Sequence, residues 1–346
     1  MTKIEEKYMD KYFYLFADCI VTKGFSRTLI TDTSRKSLYF IDNSYYDTLQ
    51  LFREMPVGEI ILMLEDESDV DLFQSFLNDL INQNLGLFVD NISLLPEVEK
   101  VWDHPSTITN GIIDIRDELH DFDKIFIEYD ALGCEYIEIR SYSERSAEDI
   151  MNIVSRSAGR GLKYMHFLTK FSEEYLAPNV LKEITDRHTF LHLTVFGAPA
   201  DKISALNNFT KANQIAFLQQ DIGSSKCCGR ISLDSFRIQS VKGTTENLLY
   251  NGCLNRKISI DERGYIKNCP SMERSFGHIN EQSLLSVVVN EEFLALWGIN
   301  KSMINVCSAC EFRSVCTDCR AFVNTEGGVY AKPSKCKYDP YSGVWG

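Results

Sequence analysis

The chain has 346 residues, of which 44% are hydrophobic and 25% charged, with 11 cysteines and a formal net charge of −13 from 36 basic against 49 acidic side chains. That length accommodates two or three domains with full-sized cores and excludes a small disulfide-stapled scaffold. The acidic balance, offset by no Lys/Arg stripe, excludes nucleic acid as a partner, because a phosphate backbone would be repelled.

The first ten residues are charged, and no apolar run approaches the roughly 18 residues a membrane span needs. No membrane contact is expected, and the chain is expected to be cytoplasmic. Reducing conditions there leave cysteines free for metal or redox chemistry. Residues 12–20 (YFYLFADCI), 28–32 (TLITD) and 37–42 (SLYFID) are aromatic or β-branched runs broken by turn residues, and predict a three-stranded meander. Apolar residues three and four apart over 44–55 and 68–83 predict helices, and Gly86 before Leu87-Phe88-Val89 predicts a helix end and a returning strand. The reading for residues 1–95 is a winged-helix-like α+β domain.

From residue 111 the texture alternates. Segments 112–115, 136–141, 163–168, 190–196 and 215–221 read as strands with helical stretches between them, which calls for right-handed βαβ crossovers and a parallel sheet, either doubly wound or a partial (β/α) barrel, over 105–225. Residues 226–346 form the third unit. In it, apolar residues at helical intervals predict a helix over 279–297.

Seven cysteines fall between 253 and 336. Cys253 is followed after ten residues by Gly264 and after four more by Cys269; then come Cys307, Cys310, Cys316, Cys319 and finally Cys336. Thiolates at such short intervals converge on a metal centre from tight turns, which core cysteines have no reason to do. Gly264, in Asp-Glu-Arg-Gly-Tyr, reads as the turn residue that brings Cys253 against Cys269. Zinc on four thiolates is the alternative and would leave three cysteines over, whereas seven suit one complete and one nearly complete four-iron site. Cys19 and Cys134 stand alone and read as small buried hydrophobes. Among six histidines only His188 and His192 are close in sequence, and both read as ordinary core or surface residues.

The cysteine spacing resembles the SPASM pattern, except that two residues rather than three separate Cys316 from Cys319. The resemblance implies two 4Fe-4S clusters, one on Cys307, Cys310, Cys316 and Cys336, the other on Cys253, Cys269 and Cys319. Cys227 or Cys228 would supply the missing ligand, unless one iron stays open. The front of the chain, on Phe13 to Cys19, Gly24 with Arg27, and the run containing Ile41-Asp42-Asn43, resembles the peptide-recognition domain similar to the small protein of pyrroloquinoline quinone biosynthesis. That likeness implies leader-peptide binding by strand addition near Ile30 and Tyr39.

A partial barrel directly ahead of a SPASM module is the order of parts in radical S-adenosylmethionine enzymes. Those enzymes carry Cys-x3-Cys-x2-Cys after the first barrel strand, but here Ile115 is followed by Arg-Asp-Glu-Leu-His-Asp-Phe, and residues 139–144 lack the Gly-Gly-Glu step that holds the cosubstrate. S-adenosylmethionine as cosubstrate and radical catalysis are therefore not expected. Over its whole length the chain resembles the SPASM-domain peptide maturase of grasp-with-spasm systems. Membership implies a precursor peptide and an ATP-grasp ligase as partners, with this chain a maturation factor for a ribosomally synthesised, post-translationally modified peptide. The alternative is a redox or cluster-dependent peptide-modifying enzyme working through an open iron.

Overall fold

The structure, a computed structural model, describes residues 4–187, 189–200, 202 and 214–346; His188 lies outside them. The apolar run at 12–20 is two strands. β1 (Tyr12–Leu15) ends at a turn in which the Cys19 N–H donates to the Phe16 carbonyl at 2.9 Å, and β2 (Cys19–Lys23) begins a different sheet. β2 joins β3 (Thr28–Asp32) and β4 (Ser37–Ile41) in an antiparallel meander, and β1 pairs instead with β5 (Gly86–Val89). The expected meander is thus present with its first strand starting at Cys19 rather than Tyr12.

Between β4 and β5 lie α1 (Tyr45–Leu51), α2 (Val57–Leu62) and α3 (Glu67–Asn82). Pro56, extended at the cap position of α2, separates the first two helices, as a residue fixed in φ with no N–H to donate does best at a helix start. In α3 the residues Phe73, Phe76, Leu77 and Leu80, spaced three and four apart, are the buried ones. They pack with Phe13, Phe52 and Ile30 into one core. All five residues of β3 are buried because the sheet is covered on both sides. Ile30 faces this helical core, while Leu29 packs with Phe312 and Val315 far along the chain.

The central unit is mixed α/β with a seven-stranded, mostly parallel sheet. β6 (Asn110–Ile115), β7 (Tyr136–Glu144), β8 (Tyr164–Lys170), β9 (Leu191–Phe196) and β10 (Ile215–Leu218) run parallel in sequence order, joined by α4 (Phe122–Ala131), α5 (Ala147–Ser155) and, between β8 and β9, α6 (Pro178–Arg187). After α7 (Val241–Leu249), β11 (Lys257–Ile260) adds parallel to β6 on its other side, and β12 (Ile266–Lys267) closes that edge antiparallel. The segment assigned to the C-terminal unit therefore contributes two strands to the central sheet. Alternation along the strands sorts the faces: Ile113, Ile139, Phe167 and Val195 join the core with Ile125, Phe126, Ile150 and Val154 of α4 and α5, whereas Asp114, Arg140, His166, Thr194 and Lys257 project from the other face.

The helix expected over 279–297 is instead two single turns, α8 (Leu284–Val287) and α9 (Glu291–Leu294). Asn290 stops the helix from running through, because its side-chain oxygen accepts from the backbone N–H groups of Glu292 and Phe293 and so starts a new turn.

Candidate metal centres and an open-edged groove

Four of the clustered thiols meet in one cavity. Cys307, Cys310, Cys316 and Cys336 line it together with Lys301 and Trp345. Two short 3-10 turns bring them there: the Cys310 N–H donates to the Cys307 carbonyl at 3.0 Å and the Cys316 N–H to the Phe312 carbonyl at 2.9 Å. Cys336 arrives from the far end of the chain, on a bridge to Ile231. Burial pushes the Cys307 thiol up to about 12, with Cys316 and Cys336 adding to the shift against the pull of Lys301. Burial also raises Cys310 and Cys336. Thiols buried in this way stay protonated until a cation replaces the proton.

Behind these thiols stands a buried charged set that sequence reasoning missed. Asp318 accepts from Arg320 Nε at 2.5 Å, from Arg320 Nη2 at 2.7 Å and from Asn251 Nδ2 at 2.7 Å, and lies 2.8 Å from Lys301 Nζ. Burial works against the charge on Lys301, but Cys316 and Asp318 outweigh it and hold its ammonium above the ordinary value. Asp318 also lies within the short Cys316–Cys319 spacing. Its φ of 74° is left-handed and turns the chain between Cys316 and Cys319, which pack with Ile231 in one cluster.

Cys253 and Cys269 lie near Lys257. Its Nζ donates to Cys253 Sγ at 3.6 Å, and Cys253, Cys269, Glu138 and Cys228 together hold its charge up against burial. Cys253 and Cys269 bracket the β11–β12 hairpin, whose turn uses Gly264 at φ 88°. Burial pushes Cys269 up to about 12 with Cys253 adding, and it raises Cys319 with Cys253 and Cys228 adding. Cys228 adds to the raised Cys319 thiol and to the charge on Lys257, and both Cys227 and Cys228 are exposed. A Cβ on Gly229, at φ 84°, would come within 3.1 Å of Cys319 Sγ, so glycine lets this loop close on that thiol. Among the described residues no group of three or more His, Cys, Asp or Glu side chains is placed to hold a metal ion. Cys19 and Cys134 are buried elsewhere.

Beside the second group lies a polar cavity of about 480 Å³ at the C-terminal ends of β6, β7 and β11, lined by Asp114, Tyr142, Asp261, Glu262 and Lys267. In its wall Arg140 donates to both oxygens of Asp114, at 2.7 and 3.0 Å, and the Tyr142 hydroxyl donates to Asp114 at 2.7 Å. Burial pushes the Asp114 carboxyl up, and Arg140 pulls against it. The stretch after β6 is tied down by Arg116, paired with Glu262 at 2.9 Å.

A third feature is a groove of about 650 Å³ between β4 and α3, lined by Tyr39, Phe40, Ile41, Leu72, Phe76 and Asp79 among others. Among the described residues β4 pairs only with β3, so its outer edge is open. Leu72 and Phe40 are exposed there. Tyr39 lines the groove, whereas Ile30 sits fully buried in the middle strand and reaches the core instead. Phe40 also stacks edge-on against Phe312, ring centroids 5.7 Å apart, and Phe312 lines the four-thiol cavity.

No family model matches the chain, and no curated protein matches it. Among the described residues no helix is long and apolar enough to cross a membrane.

Proposed function

We propose that this chain is a maturation factor for a ribosomally synthesised peptide, a grasp-with-spasm type SPASM protein that binds the precursor's leader and works with an ATP-grasp ligase. Its units would be a winged-helix-like recognition domain over 1–95, a degenerate radical S-adenosylmethionine-like partial barrel over 105–225, and an iron-sulfur domain over 226–346. The observation that carries this reading is the back-to-back arrangement of an open strand edge with an apolar groove and a four-thiol cavity, joined through Phe40 and Phe312. An extended leader would add to the free edge of β4 and seat alternate side chains between Tyr39 and Leu72.

The donor set suits a 4Fe-4S cluster at each group of thiols. Cys307, Cys310, Cys316 and Cys336 would hold one, and Cys253, Cys269, Cys319 and Cys228 the other. When bound, such clusters supply electron storage and structural cross-linking. The chain's own residues bring the thiols together, exclude water around Cys307 and Cys316, and set two ammonium groups beside the sulfurs.

The rival reading, an enzyme acting through an open iron, draws support from the polar cavity whose lining includes Pro270, the neighbour of Cys269. It is weakened by Cys228, which would fill the fourth position. Radical chemistry has no support in the stretch after β6, where Arg116 and His120 stand in place of cysteines.

The test is iron, acid-labile sulfide and zinc per chain after anaerobic reconstitution. Roughly seven to eight iron and as many sulfide, with four-iron absorption, are expected. Stoichiometric zinc without sulfide would make this a zinc-stabilised docking protein.

A further inference from the structure

Two side chains in the four-thiol cavity carry buried N–H groups that lack a hydrogen-bond acceptor. Lys301 is 4% exposed and lines the cavity. Its Nζ is ion-paired with Asp318 Oδ1 at 2.8 Å, and no other acceptor stands within reach of the rest of the ammonium. Trp345 Nε1 is likewise buried without a partner, and its ring is fixed in the same wall by Phe236, Phe312 and Tyr338. A buried donor left unmade costs about 1–3 kcal/mol, so two of them beside one cavity point to an acceptor that belongs inside it.

We propose that Lys301 and Trp345 donate hydrogen bonds to the sulfur atoms of a four-iron cluster held by Cys307, Cys310, Cys316 and Cys336, and thereby raise the reduction potential of that cluster alone. The inference rests on the iron-sulfur reading. A cluster that takes up one electron becomes more negative, and N–H donors and a nearby ammonium favour that state over the oxidised one. Lys257 is the corresponding donor at the other thiol group, on Cys253, so the two centres are tuned by separate residues. Removing Lys301 leaves Asp318 still paired with Arg320, and Trp345→Phe keeps the ring packing while deleting only the N–H.

The experiment uses the full chain reconstituted with iron and sulfide and titrated with dithionite, each reduced cluster being followed by electron paramagnetic resonance. Lys301→Met is expected to disfavour reduction of one couple by about tenfold, 59 mV for one electron, and Lys301→Arg to restore most of it. Trp345→Phe should move the same couple in the same direction by about threefold. The second couple should stay where it is in all three. Unmoved couples in both Lys301→Met and Trp345→Phe, or equal movement of the two couples, would overturn the proposal. Should Lys301→Met load too little iron to titrate, Trp345→Phe decides alone. Failure of the underlying reading looks different: the unmodified chain itself takes up no sulfide.

Discussion

Arg27 Nε donates to Glu311 Oε1 over 2.7 Å across 284 positions of sequence, and this contact ties the β2–β4 meander to the 3-10 turns that carry Cys307 and Cys310. Glu311 is fully buried and also accepts from the Tyr338 hydroxyl; Arg27 lies over the ring of Phe40 at 3.9 Å. Thr31 and Ser314 exchange a hydrogen bond alongside, and the Phe25 N–H donates to the Ala309 carbonyl. The two units are therefore one mechanical piece at this seam.

Arg27→Met should leave the buried Glu311 carboxylate with only the Tyr338 hydroxyl in the seam. Breaking a fully buried pair costs about 3–5 kcal/mol, and exposure of part of the Arg27 side chain brings this down to about 2 kcal/mol. A lower urea midpoint by tryptophan fluorescence is expected, with the loss largely absent in Arg27→Met combined with Glu311→Gln. An unchanged midpoint in the single variant would show the seam to be held by its aromatic residues alone.

The groove makes a separate claim. Peptides selected from a random phage-displayed library against the chain should read as alternating apolar strands, and Leu72→Asp should weaken them at least tenfold, about 1.4 kcal/mol. Leu72 is exposed, so the free energy of unfolding should stay within about 0.5 kcal/mol of the original. Binding that survives Leu72→Asp would move the peptide site off the β4–α3 groove.

Arg140 and Asp114 form the third case. Arg140→Met leaves a buried carboxylate with only the Tyr142 hydroxyl, and a loss of about 3–5 kcal/mol is expected. The pair Arg140→Met with Asp114→Asn should recover a large part of it, which a double-mutant cycle in urea reads directly. Additive losses would mean that each side chain serves the sheet independently.

Periodicity was a reliable guide where one face of an element is buried against its own unit. The spacing of Phe73, Phe76, Leu77 and Leu80 marks α3, and the alternating polar and apolar residues of β7 and β8 mark the central sheet. It misled where a side chain outbids the backbone, as Asn290 does in the stretch expected to be one helix, and where a turn hides inside an apolar run, as at residues 16–18. The cysteines announced themselves by spacing alone. Lys301, Trp345, Asp318 and Lys257 did not, because a lysine six residues before Cys307 or a tryptophan at the end of the chain looks like any surface residue until the fold brings it to the thiols. Ile30, expected beside Tyr39 at a peptide-binding edge, lies in the middle strand by the sheet order and is fully buried in the core.

The adjacent cysteines offer the sharpest discrimination. Both cysteines are exposed, but Cys228 adds to the raised Cys319 thiol and to the Lys257 charge, so after anaerobic reconstitution Cys228→Ala should lower iron and sulfide by up to four each, the content of one cluster, and Cys227→Ala should leave both unchanged. Cys310→Ala should likewise remove one cluster's iron, and it should loosen the seam as well, since Phe312 and Arg313 hold β2 and β4 from the same turn. Cys134→Ala, buried in the central core away from either group, sets the baseline. Equal iron loss in Cys134→Ala and Cys310→Ala would mean that iron uptake follows overall folding rather than these thiols. Equal loss in Cys227→Ala and Cys228→Ala would leave the fourth ligand of the second centre unassigned.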